Sequence, residues 1–388
     1  MSNDTFYIKA KTIIGETRNF EDHFLLVKGG IIASITPTTT GEIPCLDMGN
    51  TTLIPGLIDL HIHGREGCDV MDGKLSSLET ISRSLAAHGV TGFLATTVTS
   101  SWDETLKAFD MLGLASNLPM PGAKVLGGYS EGLFFTADHK GAHNEGYFLD
   151  LTKERIDALI EASHDALKVL ALAPEVDNAC EMIEYATAKG VRVMLGHTNA
   201  TYDETIAALK AGATGGVHVF NGMRGIHHRE PGCTGAVLTE NTNVEVIADG
   251  VHLHPAILKM ICKLKDDDQI TLISDCINAG GLNDGAYTLG KTPITVDKGI
   301  ARTQSGSLAG STLTLNRAIQ NLSVLADIDL RRAVHFASLS PAKFLGIDKQ
   351  VGSLSEGKQA DIAVLNPDGA VLKTIIRGKV VFQADHNK

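Results

Sequence analysis

The sequence predicts an α/β fold, a TIM-like (β/α)8 barrel carrying a small β-sandwich domain formed by both chain termini. Three patterns predict it. Between Gly56 and about Pro341, eight β-rich runs alternate with helical stretches. Ionisable side chains close at least six of the eight runs, the end at which a β/α barrel gathers its active site. The two ends of the chain consist of short strands and Gly/Asn/Asp turns. The expected division is 1–54 with 350–388 for the β-sandwich and 55–349 for the barrel. A doubly wound open sheet is the competing arrangement, but it calls for a Gly-rich phosphate turn after an early strand, and none stands there.

In chain order the runs are LIPGLIDLHIH ending at His63, TGFLATTVTS at Ser100, AKVLGGYSE at Glu131, LKVLALAPE at Glu175, VRVMLGH at His197, TGGVHVF at Phe220, NVEVIADGVH at His252 and QITLISD at Asp275. The segments SWDETLKAF and TYDETIAALKAG between them predict helices opened by capping boxes, Ser101 with Glu104 and Thr201 with Glu204, the second helix stopping at Gly212. A helix-rich segment from Thr312 to Leu345 is expected to close the barrel domain. Residues 5–53 (FYIKAKTIIG, HFLLVKGGIIASITP, CLDMGNTTL) and 352–383 supply the strands of the terminal domain.

Composition narrows the function. The chain has 388 residues, 43% hydrophobic, with 34 Lys+Arg against 45 Asp+Glu and a formal net charge of −11. That balance argues against a nucleic-acid or anionic-membrane surface and leaves an anionic small molecule, bound by a local basic cluster, as the compatible partner. Six cysteines, far apart and without a CxxC pair, suit a reducing compartment. The N-terminus has no basic and apolar signal segment, and no stretch is long and apolar enough to span a bilayer, so the expected location is the cytoplasm.

The chemistry is written at the strand ends. His61 and His63, two apart on one strand, share a face and can share a metal. Glu131, His197, His218 and Asp275 close four further runs and in a barrel converge on the same point. Imidazole with carboxylate suits a divalent ion such as Zn²⁺, Fe²⁺, Mn²⁺ or Co²⁺, and Cys276 should face away. Such an ion lowers the pKa of bound water and polarises a carbonyl, which implies hydrolysis, with Asp275 as the natural general base and acid. The loop from His218 to Gly232 is basic and contains glycine, so its Arg and Gly222 could hold a phosphate. His143, His252 and the small-residue loop SGSLAGST (305–312) are weaker candidates for substrate contact.

The pattern PGLIDLHIHG, with the termini forming one β domain, resembles the amidohydrolase superfamily. The whole chain is similar to the N-acetylglucosamine-6-phosphate deacetylase family, through SEG (130–132), KGAH (140–143), GHTNAT (196–201), HVFNGM (218–223), HHREPG (227–232), ADGVH (248–252), SDCINAGG (274–281) and LAGST (308–312). The resemblance implies that Glu131, His197 and His218 hold the principal metal, that Asp275 is the catalytic acid/base, and that His143 assists the acetyl carbonyl. It implies substrate contacts from Ala142, His143, Asn221, Gly222, Arg229, His252, Leu308, Ala309 and Gly310. It further implies a divalent metal (Zn, Fe, Mn, Co or Ni), one or two per subunit, and a homodimer in which Arg229 or its neighbours reach the partner's phosphate site. The intact His61 and His63 make a second metal plausible. The bridging lysine frequent at strand four of the superfamily is absent, and Glu131 would bridge instead. HVFNGM and SEGLFF are also similar to N-acetylgalactosamine-6-phosphate deacetylases, so the resemblance covers both epimers. A cyclic amidase of the dihydroorotase or hydantoinase type is disfavoured by the missing lysine and the phosphate loop, and a non-catalytic scaffold by the intact site.

Overall fold

In the computed structural model, which describes residues 4–385, the eight runs become eight parallel strands hydrogen-bonded in chain order. They are β1 Leu57–Ile62, β2 Val90–Thr96, β3 Lys124–Phe134, β4 Leu167–Leu172, β5 Arg192–Leu195, β6 Gly215–Gly216, β7 Asn243–Val246 and β8 Ile270–Leu272. The sheet closes just beyond β8: Ile62 bridges Cys276 in parallel, the Asp275 N–H donates to the His61 carbonyl at 2.9 Å, and the His63 N–H donates to that of Cys276 at 2.9 Å. Every residue of β1 and β2 is buried, as expected of strands covered on both faces. β6 is only two glycines long, and a Cβ on Gly215 would stand 1.9 Å from the Asn243 carbonyl oxygen. Glycine there lets β6 and β7 approach.

The helices are α1 Leu75–Ala86, α2 Trp102–Ser116, α3 Lys153–Ala162, α4 Ala179–Ala188, α5 Tyr202–Lys210, α6 Gly232–Thr239 and α7 Pro255–Leu264, one between each pair of successive strands. After β8 come α8 Leu315–Ala326, α9 Leu330–Phe336 and α10 Leu339–Leu345, within the expected helix-rich segment. The Thr201–Glu204 capping box opens α5 as predicted. The one predicted at Ser101 does not form: the hydroxyls of Ser100 and Ser101 both donate to Glu104 Oε2, so no serine oxygen caps a backbone N–H of α2.

Two further sheets come from the chain ends. One pairs Ile31–Thr36, Phe24–Lys28, Thr5–Lys9 and Cys45–Asp47 in that order; the other pairs Lys379–Gln383, Val371–Ile376, Ile362–Leu365, Thr52–Pro55, Thr12–Ile14 and Asn19–Glu21, mixing both termini. Ile8, Ile13, Leu25, Val27, Ile32, Leu53, Ile362, Val364 and Ile375 form one core cluster from residues of both sheets. A three-stranded antiparallel sheet, Gly285–Leu289, Thr292–Asp297 and Ile300–Thr303, was not anticipated. Its strands alternate in burial and are joined by tight turns at Gly290-Lys291 and Lys298-Gly299. Its apolar face packs on Val98, Ile277 and Ala309 and lays Leu289 over the C-terminal end of the barrel.

Candidate metal centre and substrate pocket

Five histidines and two carboxylates meet where the strands end. β1 supplies His61 directly and His63 one residue past its end, and β3 carries Glu131 in its interior. His197, His218 and Asp275 follow β5, β6 and β8 in left-handed backbone conformations, with φ of 47°, 23° and 49°. Non-glycine residues avoid that region, and three such positions at one centre mark strain held in place by the surrounding fold. His143 comes from the long loop after β3.

Glu131 is the hub. Its Oε1 lies 3.0 Å from His218 Nε2 and 3.4 Å from His197 Nε2; its Oε2 lies 3.3 Å from His63 Nε2, 3.5 Å from His61 Nε2 and 3.6 Å from His143 Nε2. Asp275 Oδ1 stands 3.2 Å from His63 Nε2 and 3.6 Å from His61 Nε2. Ligand atoms of one tetrahedral ion with bonds near 2.1 Å sit roughly 3.4 Å apart, so these separations fit shared coordination. Two groups qualify by proximity, His61 with His63 and Asp275, and Glu131 with His143 and His197, each with its ligand atoms within 4.8 Å of one another.

The opposite ring nitrogens are all engaged. Nδ1 of His63, His197 and His218 donates to the carbonyls of Thr96, His139 and Asn221 at 3.2, 3.1 and 3.2 Å. His61 Nδ1 faces Glu245 Oε2 at 3.1 Å. These acceptors fix the proton on Nδ1 and leave Nε2 free, as metal-binding imidazoles require. His61 Nε2 is fully buried with no hydrogen-bond partner, which suits an ion and little else. The residues present therefore fit a divalent metal.

Electrostatics agree. Burial alone would lower His63, but hydrogen bonds to Asp275 and Glu131 outweigh it and raise its pKa to about 9. Burial would raise Asp275, yet His63 and His61 hold it at about 2. For Glu131, burial is again outweighed, by His61, His143 and the other imidazoles, and its pKa falls well below the carboxylate range.

His143 differs from expectation. Thr99 Oγ1 is 2.6 Å from both the Gly132 carbonyl and His143 Nδ1, and its single proton is committed to the carbonyl, which can only accept. His143 must then donate from Nδ1, so its Nε2 is an acceptor. Assistance to an acetyl carbonyl would need a proton on Nε2, and burial, with neighbouring His197, pushes the imidazole pKa well down.

Above the ligands opens a cavity of about 420 Å³, lined by His63, Glu131, His143, His197, His218 and Asp275 at its base and by Ala142, Asn221, Gly222, His252, Leu308 and Gly310 among its walls. Gly222 has φ +59°, and a Cβ there would lie 2.7 Å from His197 Nδ1. Asn221 uses its amide nitrogen to hold its own loop, donating to the His218 and Val219 carbonyls. His252 Nδ1 is paired with Asp249 Oδ2 at 2.6 Å. Two expected substrate contacts do not line the cavity. Ala309 is buried in the core beneath the three-stranded sheet, and Arg229 is exposed, its Nη1 2.7 Å from His228 Nε2.

Sequence reasoning missed the groups behind the ligands. Glu245 is a charged residue inside the apolar run NVEVIA, a visible anomaly. Thr99 looked like any polar strand end. Glu175 accepts hydrogen bonds from Thr136 Oγ1, the Asn199 N–H and Thr198 Oγ1, tying together the loops after β3 and β5 in place of any lysine.

A parallel barrel with imidazoles and carboxylates converging at its C-terminal end defines a hydrolase whose site is suited to a divalent metal. The sequence model of the amidohydrolase family matches residues 52–381, and the chain belongs to that family. It is 44% identical over 340 residues to the N-acetylglucosamine-6-phosphate deacetylase of Vibrio furnissii, covering 87% of this chain and 85% of that one. It is 40% identical over 377 residues to the N-acetylgalactosamine-6-phosphate deacetylase of Escherichia coli O157:H7, covering 97% and 99%. Among solved structures, the N-acetyl-D-glucosamine-6-phosphate deacetylase of Mycobacterium smegmatis, a mutant in complex with N-acetyl-D-glucosamine-6-phosphate, superposes with a TM-score of 0.93 at 29% identity, covering 98% of this chain and 100% of that one. No helix among the described residues is long and apolar enough to cross a membrane.

Proposed function

We propose that this chain hydrolyses the N-acetyl group of N-acetylglucosamine 6-phosphate, giving glucosamine 6-phosphate and acetate. The observation that carries the reading is the convergence of His63, Glu131, His197, His218 and Asp275 at the base of a cavity of about 420 Å³, with His61 buried directly against Glu131 and Asp275. N-acetylgalactosamine 6-phosphate is the second reading, favoured by the similarity to the Escherichia coli protein over nearly the whole chain.

In this reading Glu131, His197 and His218 would hold one divalent ion (Zn, Fe, Mn, Co or Ni), and His61, His63 and Asp275 would hold a second. The metal, when bound, polarises the amide carbonyl and makes water nucleophilic near neutral pH. Asp275 accepts the proton of the attacking water at its carboxylate and returns it to the departing amine. His143 accepts at Nε2 from the acetamido N–H and so orients the amide. Ala142, His252, the Asn221-Gly222 backbone, Leu308 and Gly310 position the sugar, so that binding energy far from the amide sets its alignment. Arg229, exposed in its own chain, binds the phosphate held by a partner chain in a homodimer working in the cytoplasm. The barrel division, 55–349, carries the catalysis, and 1–54 with 350–388 forms its β-sandwich companion.

The test is acetate release by purified protein supplied with metal, from N-acetylglucosamine 6-phosphate, N-acetylgalactosamine 6-phosphate and unphosphorylated N-acetylglucosamine in parallel. Release from a phosphorylated sugar alone is expected, the faster epimer naming the substrate. Release from none of them would return the chain to a cyclic amidase or a scaffold.

A further inference from the structure

Glu245 is a buried group for which the reading above has no use. It sits inside β7 between Val244 and Val246, and a buried carboxylate without a cationic partner is costly for a core to hold. No lysine or arginine among the described residues pairs with it; its Oε2 meets His61 Nδ1 at 3.1 Å and accepts the His218 N–H at 3.3 Å. The other four imidazoles of the centre rest their Nδ1 on neutral acceptors, the carbonyls of Thr96, His139 and Asn221 and the hydroxyl of Thr99. His61 alone is backed by a carboxylate. Its ring is packed against Tyr129, with centroids 4.7 Å apart, and its orphaned Nε2 points between Glu131 Oε2 and Asp275 Oδ1. Glu245 Oε2, which already accepts the His218 N–H, accepts from His61 Nδ1 as well, which leaves Nε2 as the electron-pair donor to metal and fixes the plane of the ring.

We propose that Glu245 is the positioning residue of the His61–His63–Asp275 ion site and decides whether that site fills. The inference rests on the reading of this centre as a divalent-metal site. A residue serving only to hold the barrel together would affect folding and leave the two ions equally affected.

The test is Zn²⁺ binding by the full chain, stripped with chelator and titrated in competition with a chromophoric chelator, with bound metal counted by mass spectrometry. Wild type is expected to take two equivalents. Glu245→Leu should bind the first within twofold of wild type and the second roughly ten- to a hundredfold more weakly, and His61→Ala should lose the same equivalent. Glu245→Gln keeps a carbonyl acceptor without the charge and should fall between; if the leucine variant does not fold, the glutamine variant decides. Both equivalents binding within twofold of wild type in the variants, a parallel loss of both, or a single equivalent in wild type would overturn the proposal. Wild type binding no Zn²⁺ would instead sink the metal reading itself.

Discussion

His88, in the turn between α1 and β2, links the closing seam of the barrel to pH. Arg65, buried just past β1, donates from Nη2 to His88 Nε2 at 3.2 Å, from Nε to Ser84 Oγ at 3.0 Å and from Nη1 to Cys276 Sγ at 3.2 Å. It thereby staples α1 to the residue that follows Asp275. Burial first, and the Arg65 charge second, lower the pKa of His88 from 6.5 to about 4. Between those values the unfolded chain binds a proton that the folded chain refuses, so stability present above pH 6.5 is lost as the pH falls toward 4. The two pKa values put that loss at about 0.2 kcal/mol at pH 7 and about 2 kcal/mol at pH 5. His88→Gln keeps a carbonyl to accept from Arg65 and cannot titrate. Urea unfolding at both pH values, with chelator present so that metal release does not enter, should show wild type losing about 2 kcal/mol more than the variant. Loss in parallel, to within about 0.5 kcal/mol, would refute the neutral buried imidazole and with it the role given to Arg65.

The remaining expectations concern the site. Asp275→Asn should lower kcat by about a thousandfold or more while the ion at Glu131, His197 and His218 stays bound, as metal analysis of the variant would show; near-normal turnover rules out the acid/base role. Arg229→Ala should raise KM for the phosphorylated sugar with kcat largely kept, and an unchanged KM removes the arginine from phosphate binding. Gly222→Ala forces a side chain into φ +59° and a Cβ within 2.7 Å of His197 Nδ1. It should cost about 1–2 kcal/mol of stability and weaken metal retention, read by thermal melting and metal content.

The barrel was legible because its period and its chemistry coincide. Each run such as VRVML or QITLI is short, apolar and bounded, and five of the eight end at or near a group that a barrel brings to a common point. The three-stranded sheet at 285–303 was missed because its residues alternate weakly, with Thr288, Thr292 and Thr295 as polar as any loop. That His61, His63, Glu131, His197, His218 and Asp275 come together could be read from position alone. The acceptor at Thr99 could not, since the direction of a hydrogen bond depends on the Gly132 carbonyl that shares its oxygen. Arg229 was placed by its motif, and its exposure is a property of how the loop after β6 folds back on His227 and Glu230.

Charge balance explains why these ligands belong together. Asp59, Glu131, Glu245 and Asp275 are all buried, and none forms an ion pair with a lysine or arginine among the described residues. Burial even raises Asp59 to about 6, although it accepts the N–H groups of His61 and Ser274. Among the described residues the imidazoles are the neighbours that offset such a cluster, by binding either protons or metal at the same Nε2 atoms. His63, raised to about 9 after burial is outweighed by Asp275 and Glu131, shows how strongly this environment favours positive charge. A divalent ion would supply that charge at the point where the carboxylate oxygens and Nε2 atoms already converge, and its uptake would displace protons, so its affinity should fall as the pH falls. The acidic surroundings of the histidines are therefore a condition of metal affinity, and substituting Asp275 or Glu131 by a neutral residue should weaken the ion it faces even where every histidine stays in place.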